Sequence, residues 1–393
     1  MSMVAHAERA AQGPGAGGSL ENIANNSALA GQRPIPVDFR VVRWEARGLL
    51  WRESKLPRIR GCGRSAITSD GSVQVRANGQ AVGYAGLASC GSIWACPVDN
   101  AKIQAVRRLE VGTLLARALD EGCSAAFGAY TLRHHQGQGL DVLWRGLSRC
   151  WQSVARDKSV RKLRAAMGWI GCVRAAECTV GLCGWHPHIH PLHLFSRRVT
   201  EAEVAALHAA EFRAWQAAAL RLGFTAPLEV AQHLHLVEGD AGEPMGDYFT
   251  KASYTGARVE SVGWEMTSTQ TKSRTRASGS RTPWEVLAGV AAGDADDLDL
   301  WHAWEVGSKG KRALTYSRGL RARFALGVEA SDEDIAAVEV GTAADAGFVI
   351  TDWSPIRARP VLGALLLGVI GPGQHWAEGR QFCRDNGVEI REA

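Results

Sequence analysis

Histidines crowd the stretch GWHPHIHPLHLF, residues 184–195, which holds four of the twelve in the chain. His188 and His190 are two residues apart, so on a β-strand both side chains point to the same face. Two imidazoles side by side on one face form a ready site for a divalent metal ion. His186 shares their parity and is a further candidate ligand, whereas His193 has the opposite parity.

A second pair, His233 and His235 in QHLHL, meets the same geometric condition on a later strand. The spacing alone does not rank the two pairs, although only the first has a third histidine in phase. A lone histidine is well explained as a polar residue on a solvated sheet face. Three in strict alternation weaken that explanation, so the first pair is the favoured metal site.

Strand and helix patterns alternate around these histidines. In chain order they are AAFGAYTLR, LDVLWRGLSRCWQSVAR, GWIGCVRAAECTV, HPHIHPLHLF, TEAEVAALHAAEFRAWQAAALRLG, LEVAQHLHLVE and a helix from about Met245. This order is the split βαβ arrangement of ferredoxin-like sheets, with an antiparallel centre and helices on one face. Thr200 and Glu203 form a capping-box signature at the second helix. Because Pro191 lacks a ladder donor, we expect its strand to lie at an edge or to end its pairing early.

The regions on either side differ in composition. Residues 1–37 are rich in Ala, Gly, Asn and Ser, which predicts a mobile tail. The following Gly- and Arg-rich stretch to about Asn100 predicts a small β-rich module, and AKIQAVRRLEVGTLLARALDEG a long helix after it. Beyond Arg258, a basic Ser/Thr-rich stretch precedes two helix-like segments, TPWEVLAGV and LDLWHAWEVGSKGKRALTYS.

The formal net charge is only +5, but the basic residues are bunched. Bunching of this kind indicates a polyanion-binding surface, although ordinary solvated faces explain any single run about as well. The runs are Arg58, Arg60 and Arg64; Lys158, Arg161, Lys162 and Arg164; Lys272, Arg274, Arg276 and Arg281; and Lys309, Lys311 and Arg312.

Composition also predicts the compartment. Nine cysteines, an odd number without dense spacing, argue against a disulfide framework and for a reducing cytoplasm. The late apolar run VLGALLLGVIG is far too short to span a membrane, and we see no secretion signal. We therefore expect a globular cytoplasmic protein that does not act at a membrane.

Five motifs occur in a fixed order: CGSIWACP, YTLRHH, VRAAECTVGLCGWHPHIH, GDYFTKASY and WEVGSKGKRALTYSRGLR. Together they resemble the rolling-circle replication initiators of plasmids, members of the HUH endonuclease superfamily, in the branch typical of high-GC bacterial plasmids. His188, Ile189 and His190 are similar to the His-hydrophobic-His motif that names the superfamily. The resemblance covers about residues 60–330.

The resemblance implies an α+β fold, an HUH-endonuclease core with a central antiparallel sheet, a small N-terminal Cys-containing β-rich module and a helical C-terminal region. It implies a metal-dependent enzyme that nicks and rejoins single-stranded or hairpin-extruded origin DNA through a 5′-phosphotyrosine, leaving a 3′-hydroxyl primer. A host helicase and polymerase would be partners. The expected regions are a disordered tail (1–37), a Cys-containing zinc-finger-like module with its linking helix (38–110), a nicking domain (111–260), a basic and helical DNA-binding extension (261–330) and an accessory region (331–393).

The resemblance also implies roles for particular residues. Tyr248 is the expected nucleophile, with Lys251 one helical turn later to stabilise the phosphate or the tyrosinate, and Tyr254 is the alternative nucleophile. The expected ligands of the divalent cation, Mg²⁺ or Mn²⁺, are His188 and His190, with Glu177 and then His186 as candidates for a third. The expected DNA contacts are Lys272, Arg274, Arg276, Arg281, Lys309, Lys311 and Arg312.

One motif departs from the family. Its usual Cys-Pro-x-Cys reads CPVD at 96–99, so Asp99 stands where a fourth zinc-binding cysteine is expected. Aspartate can ligate zinc, but structural sites prefer thiolate and imidazole. A structural zinc site made of Cys62, Cys90, Cys96 and Asp99 therefore remains an open alternative to a site without metal.

Three other functions compete with the initiator. A non-enzymatic DNA-binding regulator with structural zinc would explain the basic runs but leave Tyr248 and Lys251 without a role. A mobilisation relaxase uses the same chemistry, but it usually places the tyrosine before the histidines. A diverged, inactive initiator is the third, and Asp99 is the feature that favours it.

Overall fold

Two antiparallel sheets and their helices form the framework of residues 39–79, 81–237 and 280–393, the part of the chain that the computed structural model describes. The α-helices are α1 (Phe39–Glu53), α2 (Pro57–Gly61), α3 (Pro97–Asp120), α4 (Leu140–Arg156), α5 (Lys158–Ala166), α6 (Glu201–Arg221), α7 (Pro283–Ala291), α8 (Ala295–Ser308), α9 (Leu320–Arg323), α10 (Asp332–Ala337), α11 (Ser354–Ala358), α12 (Val361–Ile370) and α13 (Trp376–Asp385). The strands are β1 (Val73–Asn78), β2 (Ala81–Ala85), β3 (Ser124–Thr131), β4 (Trp169–Gly181), β5 (Gly184–Phe195), β6 (His233–Leu236), β7 (Leu314–Tyr316), β8 (Ala346–Ile350) and β9 (Ile390–Arg391).

The larger sheet carries the histidines and has the strand order β6-β3-β5-β4-β7, with every neighbouring pair antiparallel. Helices α4 and α5 connect β3 to β4, and α6 connects β5 to β6, as the split βαβ pattern predicts. The prediction of an α+β fold with a central antiparallel sheet is confirmed. The segment ending in ALTYS was wrongly predicted as helical, because its last residues form β7 and pair with the outer edge of β4.

Strand β5 lies in the middle of this sheet and its pairing continues on both sides of Pro191, so the prediction that Pro191 places the strand at an edge or ends its pairing early was wrong. Pro191 pairs with Arg174 of β4. The missing amide is accommodated on the other side, where the pairing of β3 with β5 passes from Phe127–Leu192 directly to Tyr130–Ile189. The gap in the ladder frees the carbonyl of a β3 residue, Gly128, for another partner.

Helices cover both faces of the sheet, although only one covered face was predicted. On the first face, α4, α5 and α6 bury apolar side chains such as Leu147 and Trp215. Helix α6 begins with the predicted capping box, since Thr200 and Glu203 bond each other's backbone amides. On the second face, α3 and α9 cover one end of the strands, packing residues such as Leu115 and Phe324 against Leu194. His186, His188 and His190 occupy the other end of this second face.

A buried ion pair lies on the first face, between α5 and α6. The Arg164 guanidinium donates to Glu211 Oε1 over 2.7 Å, and Tyr130 Oη donates to Glu211 Oε2 over 2.8 Å. Trp169 Nε1 donates to His193 Nδ1, so the other ring nitrogen of His193 carries hydrogen and lies 3.4 Å from Glu211. Burial by itself raises the pKa of Glu211, but His193 and Arg164 bring it down to about 2.

The smaller sheet joins two distant parts of the chain in the order β2-β1-β8-β9. Strand β1 buries alternate residues, among them Val73 and Val75, against Phe348 and Leu366 from the C-terminal part. The stretch from residue 37 to Asn100, predicted as β-rich, has α1 and α2 before its single hairpin. Residues 331–393, predicted as an accessory region, share a sheet and an apolar core with this hairpin. A two-stranded hairpin is only marginally stable alone, so it needs further strands and a covering layer of helices. In the described part of the chain, no helix has both the length and the apolarity that a membrane crossing requires.

Candidate metal centre

Three side chains meet on the second face of the larger sheet: Glu177 of β4 and His188 and His190 of β5. Glu177 lies directly opposite His188 in the antiparallel register. The Nε2 atoms of His188 and His190 lie 3.0 and 3.1 Å from the same carboxylate oxygen, Glu177 Oε2. One donor atom from each of the three residues falls within 4.8 Å of the others, a spacing compatible with a bound metal ion.

Backbone carbonyls orient both rings. His188 Nδ1 donates to the carbonyl of His186 over 3.1 Å, and His190 Nδ1 donates to the carbonyl of Gly128 over 3.2 Å. With Nδ1 engaged by a carbonyl, each ring directs its Nε2 atom toward Glu177 Oε2, and Nε2 is the atom through which each ring could bind a metal ion. The gap in the β3–β5 ladder is what makes the Gly128 carbonyl available.

Charge at this centre is concentrated on Glu177, whose side chain is only 5% exposed. Burial would raise the pKa of its carboxyl group, but the two imidazoles beside it hold the pKa well below its ordinary value. Glu177 is therefore ionised at neutral pH. Two imidazole nitrogens and one carboxylate oxygen form a mixed donor set that is compatible with a divalent metal ion and does not select one.

His186 lies outside the three-residue group and is engaged in a separate hydrogen-bonded chain. Its Nδ1 is 2.7 Å from His134 Nε2, and its Nε2 is 3.1 Å from Thr131 Oγ1. His134 Nδ1 in turn lies 3.0 Å from the carbonyl of Cys183. Both ring nitrogens of His186 thus have partners within the protein. These contacts stabilise the structure beside the metal centre and do not add a donor atom to it.

The second histidine pair shares this face but not the centre. His233 and His235 of β6 pair with Ala129 and Phe127 of β3, and their rings stack with centroids 5.3 Å apart. The ring of Phe127 stacks against the ring of His190. Within the described residues, only the first pair has a carboxylate placed to complete a metal site. The register of β4 against β5 therefore identifies His188 and His190 as the better candidate metal ligands, a choice that the spacing of the histidines in the sequence could not make.

Gly128→Ala is expected to disturb this centre by a steric route. A Cβ atom at residue 128 would lie 2.4 Å from the carbonyl oxygen of His233, so β6 or β3 must shift. We expect a loss of about 1–3 kcal/mol in the free energy of unfolding, as for other overpacked sites. Urea denaturation measures it. Gly112→Ala in α3 is the matched control: a Cβ there meets nothing within 4 Å, and it should leave stability unchanged or raise it by up to about 1 kcal/mol.

A second group of donors, here called the cysteine cluster, consists of Cys62, Cys90, Cys96 and Asp99. Their donor atoms also lie within 4.8 Å of one another, and all four residues are buried. Cys96 caps α3 and Asp99 lies in its first turn, while Cys62 and Cys90 follow α2 and β2. Asp99 Oδ2 accepts the amides of Cys90 and Gly91 over 2.9 and 3.0 Å. Asp99 thus occupies the position of a fourth ligand.

The remaining predicted residues are placed only in part. Tyr248, Lys251, Tyr254, Lys272, Arg274 and Arg276 lie outside the described residues. Arg281 donates two 2.7 Å hydrogen bonds to Asp297, so its guanidinium is already paired within the protein. Lys309, Lys311 and Arg312 follow α8 and line a cavity of about 710 Å³ that acidic side chains also line. Contact of these residues with DNA remains a prediction.

Sequence reasoning missed Gly128 and Thr131 as supports of the centre. A glycine inside a strand pattern indicates close approach of another backbone, and this signal was available at Gly128. Thr131 gave no comparable signal, because its contact with His186 depends on how β3 and β5 pair.

The chain is similar to two named proteins. It is 27% identical to the "Protein rep" of Streptomyces lividans in an alignment of 339 positions that covers 70% of this chain and 73% of that protein. It is 31% identical to a "Neomycin resistance protein" of Streptomyces cyanogenus in an alignment of 138 positions that covers 29% of this chain and 32% of that protein. No protein-family model and no solved structure matches the chain.

Proposed function

We propose that this protein is a plasmid replication initiator that nicks and rejoins one DNA strand at an origin. The observation that carries the proposal is the convergence of Glu177, His188 and His190 on one face of the antiparallel sheet. Similarity to a Rep protein over most of the chain supports it independently. The nicking chemistry, its metal dependence and its nucleophile are the parts that the proposal adds.

Tyr248 is the proposed nucleophile. Its phenol oxygen attacks the scissile phosphorus as its proton is lost, the bond from phosphorus to the 3′ oxygen breaks, and that oxygen gains a proton. The products are a 5′-phosphotyrosine and a free 3′-hydroxyl, which a host polymerase extends. The phosphotyrosine retains the energy of the broken bond, so the ends can be rejoined without ATP.

Glu177, His188 and His190 would hold a divalent cation, Mg²⁺ or Mn²⁺. Held by these residues, such a cation would neutralise charge on the scissile phosphate and make the phosphorus easier to attack. The carbonyl bonds at Nδ1 of both histidines keep their Nε2 atoms directed to the site before DNA binds. Lys251 would stabilise the phosphate or the tyrosinate, and the basic residues around 272–281 and 309–312 would hold the backbone of the DNA.

The cysteine cluster would hold structural zinc. Three cysteine sulfurs and one carboxylate oxygen lie within 4.8 Å of one another and are buried, and two backbone amides support the carboxylate oxygen. Burial raises the pKa of Asp99 and of the Cys96 thiol, so a full set of ionised donors needs a cation beside it. On this basis the replacement of cysteine by Asp99 retains the site.

The test is formation of a covalent adduct. The full chain is incubated with Mn²⁺ and a single-stranded origin oligonucleotide, and adducts that survive boiling in detergent are resolved on a gel. We expect an adduct with the wild-type protein and none with Tyr248→Phe, because the attacking oxygen is gone. Tyr254→Phe is the matched control and should retain it.

Two results would contradict this assignment. An adduct that persists in Tyr248→Phe and disappears in Tyr254→Phe would move the nucleophile to Tyr254. Absence of an adduct with every metal tested would favour a DNA-binding regulator without nuclease activity.

A further inference from the structure

Arg47 of α1 is an arginine whose burial is only partly compensated by its neighbours. The residue is only 3% exposed. Two of its nitrogens, Nε and Nη2, are buried without a hydrogen-bond acceptor among the residues that the structure describes. Its guanidinium carbon lies 3.8 Å from the ring centroid of Trp44, and a cation–π contact of this kind offsets only part of the cost of burying a charge. A nearby negative charge is therefore expected.

The cysteine cluster is adjacent to this guanidinium. Arg47 lies against the backbone of Gly63, where a Cβ atom would come within 2.2 Å of its Nη1, and Gly63 follows Cys62 in the chain. Two tryptophans fix this backbone, since Trp51 Nε1 donates to the carbonyl of Cys62 and Trp353 Nε1 to that of Gly63. These two hydrogen bonds hold the backbone of Cys62 and Gly63 against the Arg47 guanidinium.

Charge balance gives the reason for this arrangement. Three thiolates and one carboxylate carry four negative charges, and a zinc ion neutralises two of them. The loaded site is therefore anionic in a buried setting, where uncompensated charge is costly. A single arginine beside Cys62 compensates part of the excess, and the site in turn gives Arg47 the counter-charge that it otherwise lacks.

We propose that Arg47 is the counter-cation of the zinc-loaded cysteine cluster and thereby sets its affinity for zinc. The inference rests on the proposed zinc site. Arg47 contacts no metal, so it is a positioning and charge-compensating residue rather than a ligand. Glycine at position 63 is required because it admits the guanidinium against the chain beside Cys62.

The test measures zinc affinity directly. The full chain is stripped of metal, and Zn²⁺ binding is measured by competition with a chromophoric chelator. Arg47→Met, which keeps length but removes charge, should lower the affinity by about 10- to 100-fold, the cost typical of removing an outer-shell partner. Arg47→Lys keeps the charge and should stay much closer to the wild type. Arg47→Gln provides the neutral variant if the methionine variant does not fold.

A double-mutant cycle identifies charge as the cause. Asp99→Asn removes one negative charge from the loaded site, so the loss caused by Arg47→Met should be smaller in that background. Equal zinc affinity in Arg47→Met and the wild type would overturn the inference, as would equal losses in Arg47→Met and Arg47→Lys. Failure of the wild type to bind zinc would instead overturn the proposed zinc site. That outcome is separate from the nicking test, which depends on Tyr248 and not on the cysteines.

Discussion

Glu177→Gln is expected to reduce adduct formation by more than about 100-fold at a fixed concentration of Mn²⁺. Changes in the outer shell of a metal site already cost about 10–100-fold, and this substitution removes a charged ligand. Its neutral amide also leaves His188 and His190 without the carboxylate oxygen that both now approach. Adduct yield against Mn²⁺ concentration measures the effect, together with calorimetric titration of Mn²⁺ alone.

Matched controls separate loss of metal from loss of structure. His190→Ala should behave like Glu177→Gln, since it removes another donor of the same group. His235→Ala removes a histidine of the pair on the same face of the same sheet that is not part of the group, and should retain nicking. Circular dichroism verifies folding in each case. Full adduct formation by Glu177→Gln, or its loss only in His235→Ala, would place the metal elsewhere.

Glu211→Gln is expected to cost about 3–5 kcal/mol in the free energy of unfolding, the loss typical of breaking one side of a buried ion pair. Arg164 would remain buried without its counter-charge, since its side chain is 7% exposed and that of Glu211 is fully buried. The glutamine side chain still offers an oxygen to Tyr130, so the loss of stability measures the removal of the charge and not of this hydrogen bond. Chemical denaturation at neutral pH measures it.

The double variant Arg164→Met with Glu211→Gln is the control for this prediction. It removes both charges, and it should recover most of the stability that the single change loses. Equal stability of Glu211→Gln and the wild type would show that the pair contributes nothing. A double variant no more stable than Glu211→Gln would show that packing, and not charge, is lost.

Glu211 also makes the free energy of unfolding depend on pH. The pKa of Glu211 is lowered on folding, from an ordinary 4.5 to about 2. The stability that its ionised form contributes is therefore complete above pH 4.5 and is lost as the pH falls through about 2. The difference in stability between the wild type and Glu211→Gln should be largest between pH 4.5 and 6.5 and should shrink as the pH falls from 4.5 to 2. It should also shrink as the pH rises from 6.5 through about 9, because Glu211 helps to raise the pKa of His193 to about 9 and this contribution is lost when His193 loses its proton. A difference in stability that grew as the pH fell below 4.5 would show that folding does not lower the pKa of Glu211.

Local patterns were sufficient for much of the fold. Alternation predicted the strands around His188 and His190, and the parity of these residues placed both imidazoles on one face, because side chains on a strand alternate with a period of two. The Thr200–Glu203 capping box was likewise readable, since it involves atoms within one helical turn. Two local predictions failed. The helix-like pattern that ends in ALTYS gives way to β7, which pairs with β4, and the missing amide of Pro191 is tolerated in a central strand by a gap on one side only.

By itself, the sequence determined which residues could serve as ligands and which strand face they share. Only the tertiary structure decided that Glu177 faces His188, that Asp99 joins three cysteines, that residues 346–391 complete the sheet begun at Val73, and that Arg47 is buried beside Cys62. The physical reason is the separation along the chain of the residues that interact. Parity and capping follow from the backbone within a few residues, whereas strand register and the burial of a charge depend on contacts between segments far apart in the chain.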